Sequence, residues 1–133
     1  MIFEEKYFRK IDSDVSQIQT FWRAAKKDLK IASSFDVAEI RFKFSYDGFV
    51  KLGIALIAQR GYRVRSTAGH HIKAIEATSK ILKDKDINVI GDAMRQTRNN
   101  DLYQGGFGIT EKESVEYLKF IKNVFEKAKG YFQ

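Results

Sequence analysis

Residues 11–32 read IDSDVSQIQTFWRAAKKDLKIA, and this stretch decides the fold class. Ile11, Val15, Ile18, Trp22, Ala25, Leu29 and Ala32 recur in alternating steps of four and three, which lays a single apolar seam along one helix face. Asp12, Asp14, Gln17, Gln19, Arg23, Lys26, Lys27 and Lys30 fill the positions between and are expected to face water. A seam with this spacing is the packing edge of a helical bundle. Trp22 sits on it and is expected to be a large core residue.

Ser33-Ser34-Phe35 breaks the period, and Asp36 followed three positions later by Glu39 has the spacing of a capping box that opens a second helix. Ile40, Phe44, Phe49, Leu52, Leu56 and Ile57 give that helix a rich apolar face, and Phe42 with Tyr46 adds a second stripe, so it is expected to be central. Gly48 and Gly53 mark expected close approaches to neighbouring helices, and Gly61 is the expected stop. Tyr62 through Gly69 reads as a basic loop. His70-His71 then opens a third helix through Ile72, Ile75, Ile81 and Leu82. Asp86 is placed to cap a fourth, which carries Ile87, Ile90, Ala93 and Met94 inward. Gln104-Gly105-Gly106-Phe107-Gly108 reads as a loop, and Thr110 with Glu113 forms a second capping box. The helix it opens turns Val115, Leu118, Ile121, Phe125 and Ala128 inward. No stretch holds period-two alternation, and the chain has no proline to interrupt a helix. The expected fold is all-α, an antiparallel bundle of about five helices forming a single domain over residues 1–133.

A chain of 133 residues is long enough for one domain with a real core and short for two. Zero cysteines exclude a disulfide framework and a cysteine–histidine zinc site. No apolar run approaches the roughly 20 residues that span a bilayer, and Met1 through Lys6 lacks a signal-peptide layout. The expectation is a soluble cytoplasmic protein with no membrane partner. The 24 Lys and Arg outnumber the 17 Asp and Glu, and the resulting charge of +7 favours a polyanion such as RNA as a partner.

The densest polar run is Met94-Arg95-Gln96-Thr97-Arg98-Asn99-Asn100-Asp101-Leu102-Tyr103. Arg95 and Arg98 are three apart and share a helix face. Asp92 and Asp101 are each placed to pair with one of them, which would make the run a charged helix face in an assembly module. Alternatively the guanidinium groups grip phosphate oxygens in pairs. Tyr103 lies about 140° around a continuous helix from Arg98. The two converge only where the helix ends between them or a second subunit supplies the partner. His70 and His71 point about 100° apart and cannot clamp one metal from a single face. They are expected to be neutral and hydrogen-bonded at a helix start, or to reach across toward the arginine segment. Gly105-Gly106-Phe107-Gly108 lacks the lysine and preceding strand of a phosphate loop and reads as a turn.

From about Asp14 to Lys127 the chain resembles the HEPN family, small helical domains of prokaryotic toxin–antitoxin and defence systems and of larger RNA-cleaving proteins. The resemblance is carried by the Trp22-to-Leu29 seam, the Phe44–Gly61 helix ending in Ala58-Gln59-Arg60-Gly61, the Gly69-His70-His71 corner and, above all, Arg98-Asn99. Active members of the family carry an arginine, four to six further residues and then a histidine; here Tyr103 stands where the histidine is expected. The resemblance implies a homodimer with a basic cleft at its two-fold interface. RNA is cut there with neither metal nor cofactor, by attack of a 2′-hydroxyl on the adjacent phosphate. It gives Arg98 and Tyr103 the catalytic positions, and Arg95, Asn99, Asn100, His70 and His71 nucleic-acid-binding ones. A phenol with an ordinary pKa near 10 is a poor base at neutral pH, so Tyr103 suits hydrogen-bond donation better. The family also implies a partner, a minimal nucleotidyltransferase acting as antitoxin, for which Tyr103 is a candidate nucleotide acceptor. The alternative is a non-catalytic protein that binds nucleotide or RNA and serves that transferase.

Overall fold

A computed structural model describes residues 2–104 and 108–133, with the side chains of 101–104 left out. Five α-helices make up most of it: α1 (Val15–Ser34), α2 (Ala38–Gln59), α3 (His70–Leu82), α4 (Lys85–Gln104) and α5 (Glu111–Ala128). A single 3-10 turn, Lys129–Tyr131, follows α5. Two three-residue strands, β1 (Phe8–Lys10) and β2 (Tyr62–Val64), pair antiparallel with Phe8 opposite Val64 and Lys10 opposite Tyr62. The fold is an all-α bundle with this small ribbon on one side.

Helix α2 is the central element. Twelve of its 22 residues are buried, Phe42, Phe49 and Leu56 among them, with Tyr46 fully enclosed. Its glycines explain how it can be touched from two directions. A Cβ on Gly48 would stand 3.3 Å from the Ala25 carbonyl oxygen of α1, and one on Gly53 would stand 2.6 Å from Thr78 Oγ1 of α3. Backbone-to-helix approach of this kind needs hydrogen in place of a side chain. Trp22 of α1 is buried as expected, stacked on Phe132 at 4.5 Å and on Phe125 at 5.7 Å, and so ties α1 to the C-terminal segment. Gly61, at φ +86°, ends the α2 segment.

Local chemistry places several boundaries differently from the sequence reading. Asp14 caps α1 by accepting from the Gln17 N–H at 2.7 Å, so Ile11 lies before the helix and Val15 is 76 % exposed. The seam therefore starts at Ile18. Asp36 does not cap α2, whose first flanking residue is Val37; its carboxylate is drawn instead to Arg41 at 3.1 Å. Asp84, not Asp86, caps α4, accepting from the Asp86 N–H at 3.0 Å. Ala93 and Val115, expected inside, are exposed. The basic loop after Gly61 is partly strand β2. The ribbon is held by Phe3, which stacks on Tyr62 at 4.4 Å and meets Phe8 edge-on at 5.2 Å. Three residues are too few for an alternation to show. The capping box at Thr110 and Glu113 is present in full. Of the Gly-rich loop, residues 105–107 lie outside the described residues.

Among the described residues no helix is long and apolar enough to cross a membrane.

Candidate functional site between the third and fourth helices

The turn after β2 delivers the chain into α3 at His70, beside the middle of α4. A cleft of about 490 Å³ opens there, walled by Ser66 through Ile72 on one side and by Arg95, Arg98 and Asn99 on the other. The sequence separates these two walls by more than twenty residues; the packing of α3 on α4 and α2 joins them. Cationic and hydrogen-bonding groups line the cleft, and among the described residues no carboxylate lines it. That composition suits an anion.

His71 is held from behind. The Tyr46 hydroxyl lies 2.9 Å from His71 Nδ1. Tyr46 is fully buried, and burial pushes its pKa up to about 12 against the opposing charges of Arg98 and Arg95, so the phenol keeps its proton. Among the described residues His71 is the hydroxyl's hydrogen-bond partner, and the tautomer that leaves no buried O–H unsatisfied is the one in which Tyr46 donates to Nδ1. Burial also lowers the pKa of His71, helped by the charges of His70 and Arg98. A neutral imidazole that accepts at Nδ1 carries its hydrogen on Nε2.

His70 is held the opposite way. Its Nδ1 stands 3.1 Å from the Thr67 carbonyl oxygen, which can only accept, so Nδ1–H donates. In the neutral ring this leaves Nε2 with a free lone pair. The two rings meet edge to face with centroids 4.4 Å apart. Adjacent histidines thus present unlike nitrogens: one acceptor and one donor.

The arginines are placed by acids and by a ring. Arg95 Nε donates to Asp92 Oδ1 at 2.9 Å, and this bond holds the Asp92 carboxyl below its ordinary pKa. Arg98 lies over the face of Tyr46, with Cζ 5.6 Å from the ring centroid, and its Nε is 3.9 Å from Asp47 Oδ1. Asp47 is shared, since Lys43 Nζ contacts its other oxygen at 2.8 Å. Tyr46 therefore organises both walls, gripping His71 with its hydroxyl and Arg98 with its ring face.

Of the residues singled out in the sequence, His70, His71, Arg95, Arg98 and Asn99 meet in this cleft. Asn100 is exposed and is not among its lining residues. Tyr103 belongs to the last turn of α4, and its side chain, like that of Asp101, lies outside the described residues. The ion pair expected between Asp92 and Arg95 is present. Sequence reasoning missed Tyr46 and Asp47 as site residues, and the Thr67 carbonyl with them. Tyr46 read as core, and the signal available was its hydroxyl, which a buried tyrosine must satisfy somewhere. Among known proteins the chain matches no family model, no curated protein and no solved structure, so its own geometry has to carry the functional reading.

Proposed function

We propose that the protein is a HEPN-like, RNA-acting domain that cuts RNA without a metal at the cleft between α3 and α4, as the toxin component of a toxin–antitoxin or defence pair. The observation that carries this reading is the meeting of Arg98 with two histidines held in opposite hydrogen-bonding states. In this reading His70 Nε2 takes the proton of a ribose 2′-hydroxyl. The 2′-oxygen bonds to the adjacent phosphorus while the bond to the 5′-oxygen breaks, and the leaving oxygen takes a proton from solvent. The products are a 2′,3′-cyclic phosphate and a 5′-hydroxyl. Arg98, with Arg95 behind it, holds the phosphoryl oxygens, and His71 Nε2–H adds a neutral donor. Asn99 orients the sugar. The base missing from the arginine motif at Tyr103 is supplied by the start of α3. Two copies related by a two-fold axis would bring their α4 segments together and let Tyr103 contact the reacting region of the partner's cleft.

The test is incubation of the purified protein with a mixed RNA pool in chelator, beside Arg98→Ala and His70→Gln. The expected result is fragments with cyclic-phosphate ends, lost in both variants. Cleavage that persists in both would sink the assignment.

The tyrosine at the family's histidine position favours one second reading, a non-catalytic RNA- or nucleotide-binding partner of a minimal nucleotidyltransferase. It predicts salt-sensitive, Arg98-dependent RNA retention with no cleavage.

A further inference from the structure

Behind His70 and His71 the cleft has a neighbour of different character. A slot of about 220 Å³ lies between α2, β2 and α3 and shares Ser66, His70 and His71 with the cationic cleft. Its remaining walls are mostly aliphatic, with Val50, Ile54 and Ile57 from α2 and Ala74 from α3. Among the described residues Arg63 is the one lysine, arginine or acid that lines it. Ile54 is 39 % exposed, although it belongs to the central helix of the bundle. The slot is smaller than the roughly 300–1,000 Å³ usual for an independent ligand site, which makes it a side compartment of the larger cleft.

We propose that this slot is the base-binding subsite of the same site, so that the unit recognised is one nucleotide of a single-stranded RNA, phosphate at Arg98 and base against Ile54. The proposal rests on the RNA reading above. A nucleotide joins an anionic group to a flat ring with apolar faces, and the two compartments divide in the same way around a shared histidine wall. Unpaired bases are held by stacking on aromatic rings and guanidinium planes and by apolar contact, which the histidine wall, Arg63, Val50 and Ile54 supply, with the buried Ile57 behind them. Paired bases are locked within a helix and cannot enter such a slot, so the preference is for single strands. Aliphatic walls read the face of a base and not its edge, so discrimination among the four bases is weak.

The test compares binding of 5′-AMP and 5′-UMP with binding of ribose 5-phosphate, followed by titration in the wild type, Ile54→Asp and Arg98→Ala. Both nucleotides should bind about tenfold more tightly than the sugar phosphate, the gain expected for one stacked base. Ile54→Asp should remove that advantage while leaving ribose 5-phosphate affinity unchanged. Ile54→Asn, the uncharged counterpart of the aspartate, should do the same and guards against an effect of the carboxylate on the phosphate. Equal affinity of nucleotides and sugar phosphate in the wild type, or equal loss of both in the Ile54 variants, overturns the base subsite; Arg98-dependent RNA binding would then leave the cleft assignment intact. If Arg98→Ala changes neither ribose 5-phosphate nor RNA binding, the cleft assignment fails and the subsite falls with it.

Discussion

Two arginines near the start of α2, one from that helix and one reaching it from α4, show how the same side chain can serve structure or face an outside ligand. Arg41, in the first turn of α2, is 8 % exposed and has its guanidinium occupied from several sides. It donates to Glu111 Oε1 and Ser114 Oγ, both at 2.9 Å, to Asp36 Oδ1 at 3.1 Å and to the Phe35 carbonyl at 3.3 Å. These partners belong to the α1–α2 turn and the start of α5, so Arg41 locks the two together. Arg98 is 36 % exposed, rests on a tyrosine face and has an acid only at 3.9 Å among the described residues. A guanidinium carries five N–H donors. Arg41 spends its donors on the protein, whereas Arg98 is positioned by its flat face, which leaves the geometry of its donors suited to an outside anion.

Truncation separates the two roles. Arg98→Ala should lower RNA cleavage by about a hundredfold to a thousandfold, the usual loss when one group that stabilises developing charge is removed. Its effect on stability should stay below about 2 kcal/mol, because a half-exposed ion pair and an exposed cation–π contact are each worth about 1 kcal/mol or less. Arg41→Ala should reverse the pattern, costing about 2–4 kcal/mol in urea unfolding through lost packing and charge-assisted hydrogen bonds. Asp36 and the Glu111 side chain are largely exposed and can be rehydrated, which keeps the loss below that of a fully buried pair. Cleavage by Arg41→Ala should be unchanged well below its melting temperature. A large stability loss from Arg98→Ala, with cleavage kept, would make both arginines structural.

The contrast also explains what could be read from the chain beforehand. The α1 seam and the Thr110–Glu113 capping box depend on residues within a turn or two of each other; the box is complete, and the seam follows its spacing from Ile18 onward, without Ile11 and Val15. The arginine pair and the His70-His71 corner were legible for the same reason, as short runs of unusual composition. Arg41 was not, because nothing in the order of residues links position 41 to positions 111 and 114. Tyr46 was legible only as an apolar stripe; its bond to His71 spans 25 positions and exists only once α2 and α3 pack. Ribbon β1–β2 escaped because each strand is three residues long. The site is thus half local and half long-range, and its positioning residues fall in the second half.

A substitution at Gly91 should affect the core and the cleft at once. A Cβ there would stand 2.8 Å from Ile75 Cγ2 and 2.8 Å from Phe49 Cε2, buried atoms of α3 and α2. Gly91→Ala must displace those two side chains or push α4 outward, at about 1–3 kcal/mol for overpacking, and in this packed core α4 is expected to give. Arg95 and Arg98 lie one and two turns further along α4 and would move with it. Stability and cleavage should therefore fall together, unlike either arginine variant. Unfolding in denaturant and initial cleavage rates on one preparation would check this, and loss of stability alone would show that the cleft tolerates a shift of α4.

The smallest effect is the most specific. Tyr46→Phe keeps the ring under Arg98 and removes only the hydroxyl that donates to His71 Nδ1. The stability loss should be about 1 kcal/mol. Nitrogen NMR near neutral pH should show His71 in the wild type with its hydrogen on Nε2, and the variant as a mixture of both forms. The pH dependence follows from the lowered pKa of His71, set first by burial and then by the charges of His70 and Arg98. A histidine whose folded pKa lies below the ordinary value near 6.5 binds fewer protons folded than unfolded between those two values. Its contribution to stability is complete above about pH 6.5 and declines as the pH falls toward the folded pKa. Burial and both charges stay in place in the phenylalanine variant, so it should keep the sign of this slope. Unfolding free energies between pH 5 and 7.5 give the comparison directly. A wild-type slope of opposite sign would mean a His71 that gains its proton on folding, and so could not be the neutral donor placed beside Arg98.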